Sequence, residues 1–228
     1  MRAHLSEGAL RAFALLLALL LGSPAEAVWP FRTAPRIPDP ASDLGAAAAE
    51  ILARAIRIDT VNPPGGEAEL ARLYVEVLRD HDLEARVIET PSEDGARRAA
   101  AWARLPGHGR ARPIVLLSHL DVVPADNRGW LVDPFEGVVA GGYVVGRGAL
   151  DAKGVSVIQL LALVELARRA PLARDVIFLA TPDEEMGGRL GAGYVTSKRL
   201  ELLHDAEYLL TEGGGILQGR GQIGRAHV

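Results

Sequence analysis

The feature that most constrains this chain is a series of short, continuous apolar runs separated by a helical stretch. Residues 114–118 and 176–181 form such runs, residues 155–167 between them are apolar on nearly every side, and residues 207–211 indicate a further strand. Strands that are apolar on both faces are typical of sheets covered by helices on both sides. The pattern predicts an α/β fold built on an open, mostly parallel sheet flanked by helices.

The remaining segments fit the same layout. Ser42 or Asp43 can cap a helix that ends near residue 58, and the turn at residues 62–66 contains two prolines and two glycines. A second helix is predicted for residues 67–81. Further strands are predicted at residues 83–90, 99–105, 138–140 and 143–145, the last two of which form a hairpin.

The N-terminal segment is typical of an exported protein. Arginines precede an apolar run at residues 12–21, and small residues follow it, so residues 1–27 are predicted to be a signal peptide cleaved after Ala27. An uncleaved membrane anchor is the alternative, but the run is about half of the roughly 20 residues that span a bilayer. Residues 28–41 hold four prolines and predict an extended linker. We therefore expect a periplasmic or secreted protein.

Charge and composition indicate a small partner. The formal net charge is -4, and acids and bases are interspersed along the chain, so nothing favours nucleic acid or an anionic membrane. The chain contains no cysteine, which agrees with an oxidising compartment without establishing one.

Acids and one histidine fall where predicted strands end. They are His119, Asp121, Asp151, Glu184, Glu185 and Glu212. In open α/β sheets, ligands bind at the carboxyl ends of the strands. Imidazole and carboxylate groups are also common ligands of divalent cations. The sequence therefore places a candidate metal site at this edge.

Each motif taken singly leaves an alternative open. Asp121 can accept a hydrogen bond from one imidazole nitrogen of His119 while the other faces a metal, or His119 can be a surface residue beside a turn-forming aspartate. Asp151 can bridge two cations or act as an ordinary helix N-cap. Glu184 and Glu185 can divide proton transfer and metal binding between them, or form an exposed acidic turn.

Glu212 also leaves two alternatives open, because it can be a strand-end ligand or a solvated loop acid.

The order of the motifs along the chain favours the metal-binding alternative for all of them. Residues 118–124, 130–137, 146–154 and 183–188 together resemble the di-zinc metallopeptidase family of carboxypeptidase S, glutamate carboxypeptidase, aminoacylase, acetylornithine deacetylase and succinyl-diaminopimelate desuccinylase. The resemblance covers residues 42–215. It implies a three-layer, zinc exopeptidase-like catalytic domain.

The resemblance also implies a role for each strand-end residue. It makes His119 and Glu212 ligands of one zinc, Asp151 the bridging carboxylate, Glu185 a ligand of the second zinc, Asp121 the group that orients the histidine, and Glu184 the general base. A complete site would hold two Zn²⁺ ions, with Co²⁺ or Mn²⁺ as alternatives. The implied reaction is hydrolysis of a peptide or N-acyl amino acid amide bond by metal-activated water. A non-catalytic module that binds metal or a small ligand on the same fold is the competing hypothesis.

The resemblance further implies parts that this sequence does not contain. In the family, a last histidine ligand and a smaller dimerisation domain follow the segment that ends near residue 215. Residues 216–228 lose the pattern and are predicted to be an irregular tail that could be artefactual. We therefore expect a truncated catalytic domain with weak or no activity, and a homodimer only in a full-length form. The substrate itself is not identified by the sequence.

Overall fold

The computed structural model describes residues 37–213, except residues 41, 94, 170 and 204. The predicted signal peptide, most of the predicted linker and the predicted tail lie outside these residues. The elements are α1 (Leu44–Arg57), α2 (Ala68–Arg79), β1 (Glu84–Glu89), β2 (Ala99–Leu105), β3 (Ile114–His119), β4 (Val138–Ala140), β5 (Tyr143–Val145), α3 (Lys153–Arg168), β6 (Val176–Thr181), α4 (Ala192–Lys198) and β7 (Tyr208–Leu210), with short 3₁₀ turns at Glu184–Met186 and Leu200–Leu203. No helix in the described part of the chain is long and apolar enough to cross a membrane.

The main sheet has five strands in the order β1-β2-β6-β3-β7. Strand β3 pairs in parallel with both β6 and β7, whereas β2 is antiparallel to both of its neighbours. Strands β1, β3, β6 and β7 therefore run in one direction and β2 alone runs in the other. This confirms the predicted mostly parallel sheet. Strands β4 and β5 form the predicted hairpin, which is separate from the main sheet.

Helices cover both faces of the sheet. On β2, Ala99, Ala101 and Ala103 belong to the core that contains α1, α2 and α3. Trp102 faces the other way, into a smaller core with α4 and the 200–203 turn, where its indole N–H donates to the carbonyl of Leu202 at 2.9 Å. Because successive strand residues point to opposite faces, a strand buried throughout requires a layer on each side. The predicted three-layer architecture is confirmed.

Side chains define both ends of α1. Of the two predicted caps, Asp43 is the one used, because its Oδ1 accepts from the backbone N–H of Ala46 at 2.8 Å. At the other end, the Nζ of buried Lys153 donates to the carbonyls of Ala55 at 2.8 Å and Ile58 at 2.9 Å. Lys153 thereby joins the end of α1 to the first residue of α3.

Candidate metal centre

The direction of the strands brings the predicted residues together. In the parallel pair β3 and β6, His119 lies opposite Thr181, so the segments that follow both strands leave the same edge of the sheet. Strand β7 lies in parallel on the other side of β3 and leads to Glu212 at this edge. The loop that precedes α3 brings Asp151 to within hydrogen-bonding distance of His119.

The two ring nitrogens of His119 have different surroundings. Nδ1 lies 2.9 Å from the backbone oxygen of Asp121 and 3.5 Å from its Oδ1. Nε2 lies 2.9 Å from Asp151 Oδ1, 3.4 Å from Glu212 Oε1 and 3.8 Å from a carboxylate oxygen of Glu184. A carbonyl oxygen can only accept, so Nδ1 carries hydrogen. The Asp151 carboxylate also only accepts, so Nε2 donates to it when the imidazole is protonated, and loss of that proton would free the Nε2 lone pair for a metal.

The burial of His119 removes one alternative. Its side chain is only 2% exposed, so the surface-histidine hypothesis is wrong. Among the described residues, two sets of ligand atoms could hold a metal ion: His119 with Asp151 and Glu212, and His119 with Glu184 and Glu185. Within each set the atoms lie within 4.8 Å of one another. An imidazole nitrogen surrounded by carboxylate oxygens is a donor set that zinc, cobalt and manganese accept. These residues therefore fit a divalent transition-metal ion.

The pKa shifts of His119 and Glu212 show that the clustered acids favour a positive charge among them. Burial lowers the pKa of His119, but the hydrogen bond with Asp121 and the charges of Glu212 and Asp121 outweigh burial and raise that pKa to about 10. Burial raises the pKa of Glu212, and the nearby Asp151 and Glu184 carboxylates add to this increase against the opposing charge of His119. Without a metal, a proton on the imidazole supplies the positive charge that the acids require.

Asp151 does not act as a helix cap. The residue at the N-cap of α3 is Ala152, which makes no side-chain cap bond, and the Asp151 carboxylate bonds to His119 instead. The N-cap alternative is therefore wrong. The Asp151 side chain is 76% exposed, which leaves its second oxygen accessible from solvent.

Asp121 connects the histidine to the acidic turn. Its Oδ1 accepts from the backbone N–H of Glu184 at 3.0 Å, and its Oδ2 accepts from that of Glu185 at 3.0 Å. Burial raises the pKa of Asp121, but the hydrogen bonds from His119 and Asn62 outweigh burial and hold it below the ordinary value. Asp121 is thus held as a carboxylate behind the site and positions both glutamates.

Sequence reasoning missed the residues that support Asp121. The amide of Asn62 donates to Asp121 Oδ2 at 2.8 Å, and Asn62 in turn contacts the buried Arg98. In the sequence, Asn62 is visible only as part of a turn and Arg98 only as a basic residue before a strand. No local pattern links them, because 36 residues separate them in the chain.

The layered fold and the imidazole and carboxylate cluster define an α/β domain with a candidate divalent-metal site. Residues 115–225 match the model of peptidase family M20/M25/M40, so this part of the chain is similar to the domains of that family. This confirms the resemblance found in the sequence.

Individual relatives are consistent with the family match. The chain is 37% identical to the N-fatty-acyl-amino acid synthase/hydrolase PM20D1 of Mus musculus over 47% of this chain and 22% of that protein. It is 45% identical to aminoacylase-1 of Sus scrofa over 34% of this chain and 20% of that protein. The chain thus spans about a fifth of the length of these relatives.

A solved structure shares the fold. The M20 family metallo-carboxypeptidase Sso-CP2 from Sulfolobus solfataricus superposes with a TM-score of 0.63 at 22% identity, over 74% of this chain and 38% of that one.

Proposed function

We propose that residues 42–215 are the N-terminal part of the catalytic domain of a zinc-dependent hydrolase that cleaves peptide or N-acyl amino acid amide bonds. One observation carries the proposal: the Nε2 of buried His119 is surrounded by the carboxylate oxygens of Asp151, Glu212 and Glu184. The names of the relatives support the type of bond, since two of them act on acylated amino acids and one is a carboxypeptidase.

Each residue has a proposed task. His119, Asp151 and Glu212 would hold one zinc. The resemblance seen in the sequence assigns Asp151 and Glu185 to a second zinc. Bound zinc would supply Lewis acidity toward the scissile carbonyl and a lowered pKa for water. Glu184 accepts the proton of the attacking water and returns it to the leaving amine. Its side chain is 55% exposed, so it can move toward a substrate that enters from solvent.

Metal content is the first test. The purified chain, stripped with a chelator and then titrated with Zn²⁺, should bind at least one zinc per chain, as measured by calorimetry and elemental analysis. His119→Ala should remove this binding because the imidazole is shared by both sets of ligand atoms. A wild-type chain that binds no zinc would contradict the proposal.

The two adjacent glutamates separate catalysis from metal binding. Glu185→Gln should reduce zinc content, whereas Glu184→Gln, made in a full-length form of the protein, should keep the zinc and lower hydrolysis of N-acyl amino acids by about 10²–10⁴-fold. Glu201→Gln is the matched control, because that glutamate is exposed, pairs with Arg199 and belongs to neither set of ligand atoms. If zinc binds but the full-length wild-type form hydrolyses nothing, the non-catalytic binding module is the better description of the protein.

We further propose that the protein is exported. The support is the signal-like pattern of residues 1–27 in the sequence. Expression of the complete chain in a bacterial host, followed by N-terminal sequencing of the periplasmic or secreted product, should give a first residue of Val28. Recovery of uncleaved protein from the cytoplasm would contradict export.

A further inference from the structure

A buried polar network lies behind the metal centre and belongs to none of the predicted motifs. Arg98, Asn62 and Glu67 are 5%, 2% and 0% exposed, and they come from the residue before β2, from the turn after α1 and from the residue before α2. Burying a guanidinium and a carboxylate costs free energy unless each is paired and hydrogen-bonded. Arg98 and Glu67 are paired with each other, since Arg98 Nη1 donates to Glu67 Oε1 at 2.8 Å.

The guanidinium determines which way the Asn62 amide points. Arg98 Nη2 donates to Asn62 Oδ1 at 3.0 Å and also to the carbonyl of Pro64. Arginine has only donors, so the oxygen of the amide must face Arg98 and its NH₂ group must face away. The NH₂ group consequently donates to Asp121 Oδ2 at 2.8 Å, with Asp183 Oδ1 at 3.5 Å.

The same network reduces repulsion between two acids. Asp121 and Asp183 both lie beside the Asn62 amide, and Asp183 Oδ1 is 3.6 Å from Arg98 Nη1. Asp183 has a left-handed backbone with φ of 73°, and its Oδ2 accepts from the N–H of Leu190 at 2.8 Å. The residue that immediately precedes Glu184 is therefore held by the network as well.

We propose that Arg98 and Asn62 are positioning residues of the metal centre. Arg98 orients the amide of Asn62, Asn62 holds the carboxylate of Asp121, and Asp121 holds the backbone of Glu184 and Glu185 while it faces His119. The consequence for metal binding rests on the proposed zinc site. The positioning of the Glu184–Glu185 backbone can be measured without any metal.

The metal-free test uses hydrogen exchange of backbone amides, followed by NMR. Asn62→Ala and Arg98→Met should each increase the exchange rates of the Glu184 and Glu185 amides by about tenfold or more, because their acceptor carboxylate is released. Arg104→Met is the matched control: it removes a guanidinium bonded to Asp175, which precedes β6 at the end opposite to the site. Asn62→Ala alone decides the matter if Arg98→Met does not fold.

The second test measures zinc affinity by competition with a chromophoric chelator. Asn62→Ala and Arg98→Met should weaken binding by about 10- to 100-fold, as loss of groups that orient metal ligands does, while Arg104→Met should not. Arg98→Lys should recover only part of the affinity, because an ammonium lacks the fork that reaches two partners at once. Spectra of the Co²⁺ form should change in the first two variants and not in the control.

Three outcomes would overturn the proposal. They are unchanged exchange at Glu184 and Glu185, equally increased exchange throughout the sheet in all three variants, and unchanged zinc affinity in Asn62→Ala and Arg98→Met. If the wild-type chain binds no zinc, the proposed function fails, but the exchange rates still decide whether Arg98 and Asn62 position the acidic turn.

Discussion

His119 and Asp121 work as a unit at the scale of single residues. The imidazole makes its Nδ1 contact with the backbone and the side chain of Asp121, while the Asp121 carboxylate accepts from the two amides of the acidic turn. A single carboxylate thus couples the end of β3 to the segment after β6. Any change in its hydrogen-bonding capacity should alter the histidine and both glutamates together.

Asp121→Asn is the sharpest test of this coupling. The asparagine side chain has nearly the same shape as the aspartate side chain. Its NH₂ group would, however, face an N–H donor of Glu184, Glu185 or Asn62, and each of these donors requires an acceptor. We expect zinc affinity to fall by about 10- to 100-fold, measured by competition titration. Asp126→Asn, at an exposed position paired with Arg128, should leave the affinity unchanged. Equal effects of the two variants would contradict the coupling.

The sequence predicted the candidate ligands and Asp121, but not the residues that support Asp121. His119, Asp151, Glu184, Glu185 and Glu212 follow strands or precede a helix, and such positions can be found from local hydrophobic patterns. Their supporting residues are joined by contacts between distant segments. The Arg98 guanidinium, for example, bonds to side chains 31 and 36 residues earlier in the chain. Periodicity contains no information about such contacts, which depend on how the sheet and its turns pack.

At the scale of elements, Lys153 holds α1 and α3 together. Lys153→Met should lower the free energy of unfolding by about 1–3 kcal/mol, because two backbone carbonyls lose their buried donor. Chemical denaturation followed by circular dichroism would measure this loss. The only other lysine, Lys198, is exposed at the end of α4, so Lys198→Met should change stability by less than about 0.5 kcal/mol. A Lys153→Met protein as stable as the wild type would exclude this bridging role.

The segment between β6 and α4 depends on a glycine. A Cβ added at Gly191 would lie 1.8 Å from the carbonyl oxygen of Pro182, so Gly191→Ala must displace the backbone next to the acidic turn. We expect a loss of about 1–3 kcal/mol in thermal or chemical unfolding. Gly45→Ala should instead stabilise the protein. A Cβ at this position meets nothing closer than 3.5 Å, and alanine favours the helix α1. Similar stability changes in both variants would argue against a steric cause.

The ends of elements show what a sequence pattern can and cannot provide. Helix α2 was predicted for residues 67–81 and occupies Ala68–Arg79, and the strand predicted at 207–211 is Tyr208–Leu210. The types and the order of the helices and strands follow from local periodicity. The residues at which each element ends depend instead on hydrogen bonds to neighbouring strands and loops. The antiparallel placement of β2 between β1 and β6 likewise depends on long-range pairing that no local pattern contains.

At the scale of the whole molecule, metal binding should be linked to folding. The acids and the histidine come from four segments that are close together only in the folded chain, so zinc should bind the folded state preferentially. Saturation at about 100 times the dissociation constant should stabilise the protein by about 2.7 kcal/mol, which corresponds to a rise of about 5–10 °C in Tm. Differential scanning calorimetry with zinc and with chelator would measure this rise in Tm.

The control for this linkage is His119→Ala, whose Tm should not depend on zinc. The zinc-dependent stabilisation of the wild type should also decrease as pH falls, because protons compete with the cation for imidazole and carboxylate groups. A Tm that rises equally with zinc in both proteins would indicate binding at some other place on the surface.

The contrast between the two lysines has a practical consequence. Lys153 is inaccessible in the folded chain, while Lys198 is open to solvent. A reagent that acylates lysine side chains will therefore modify Lys198 and leave Lys153 intact until the protein unfolds. A fluorophore can be attached at one defined lysine of the native protein, and the later appearance of label on Lys153 would report the separation of α1 from α3.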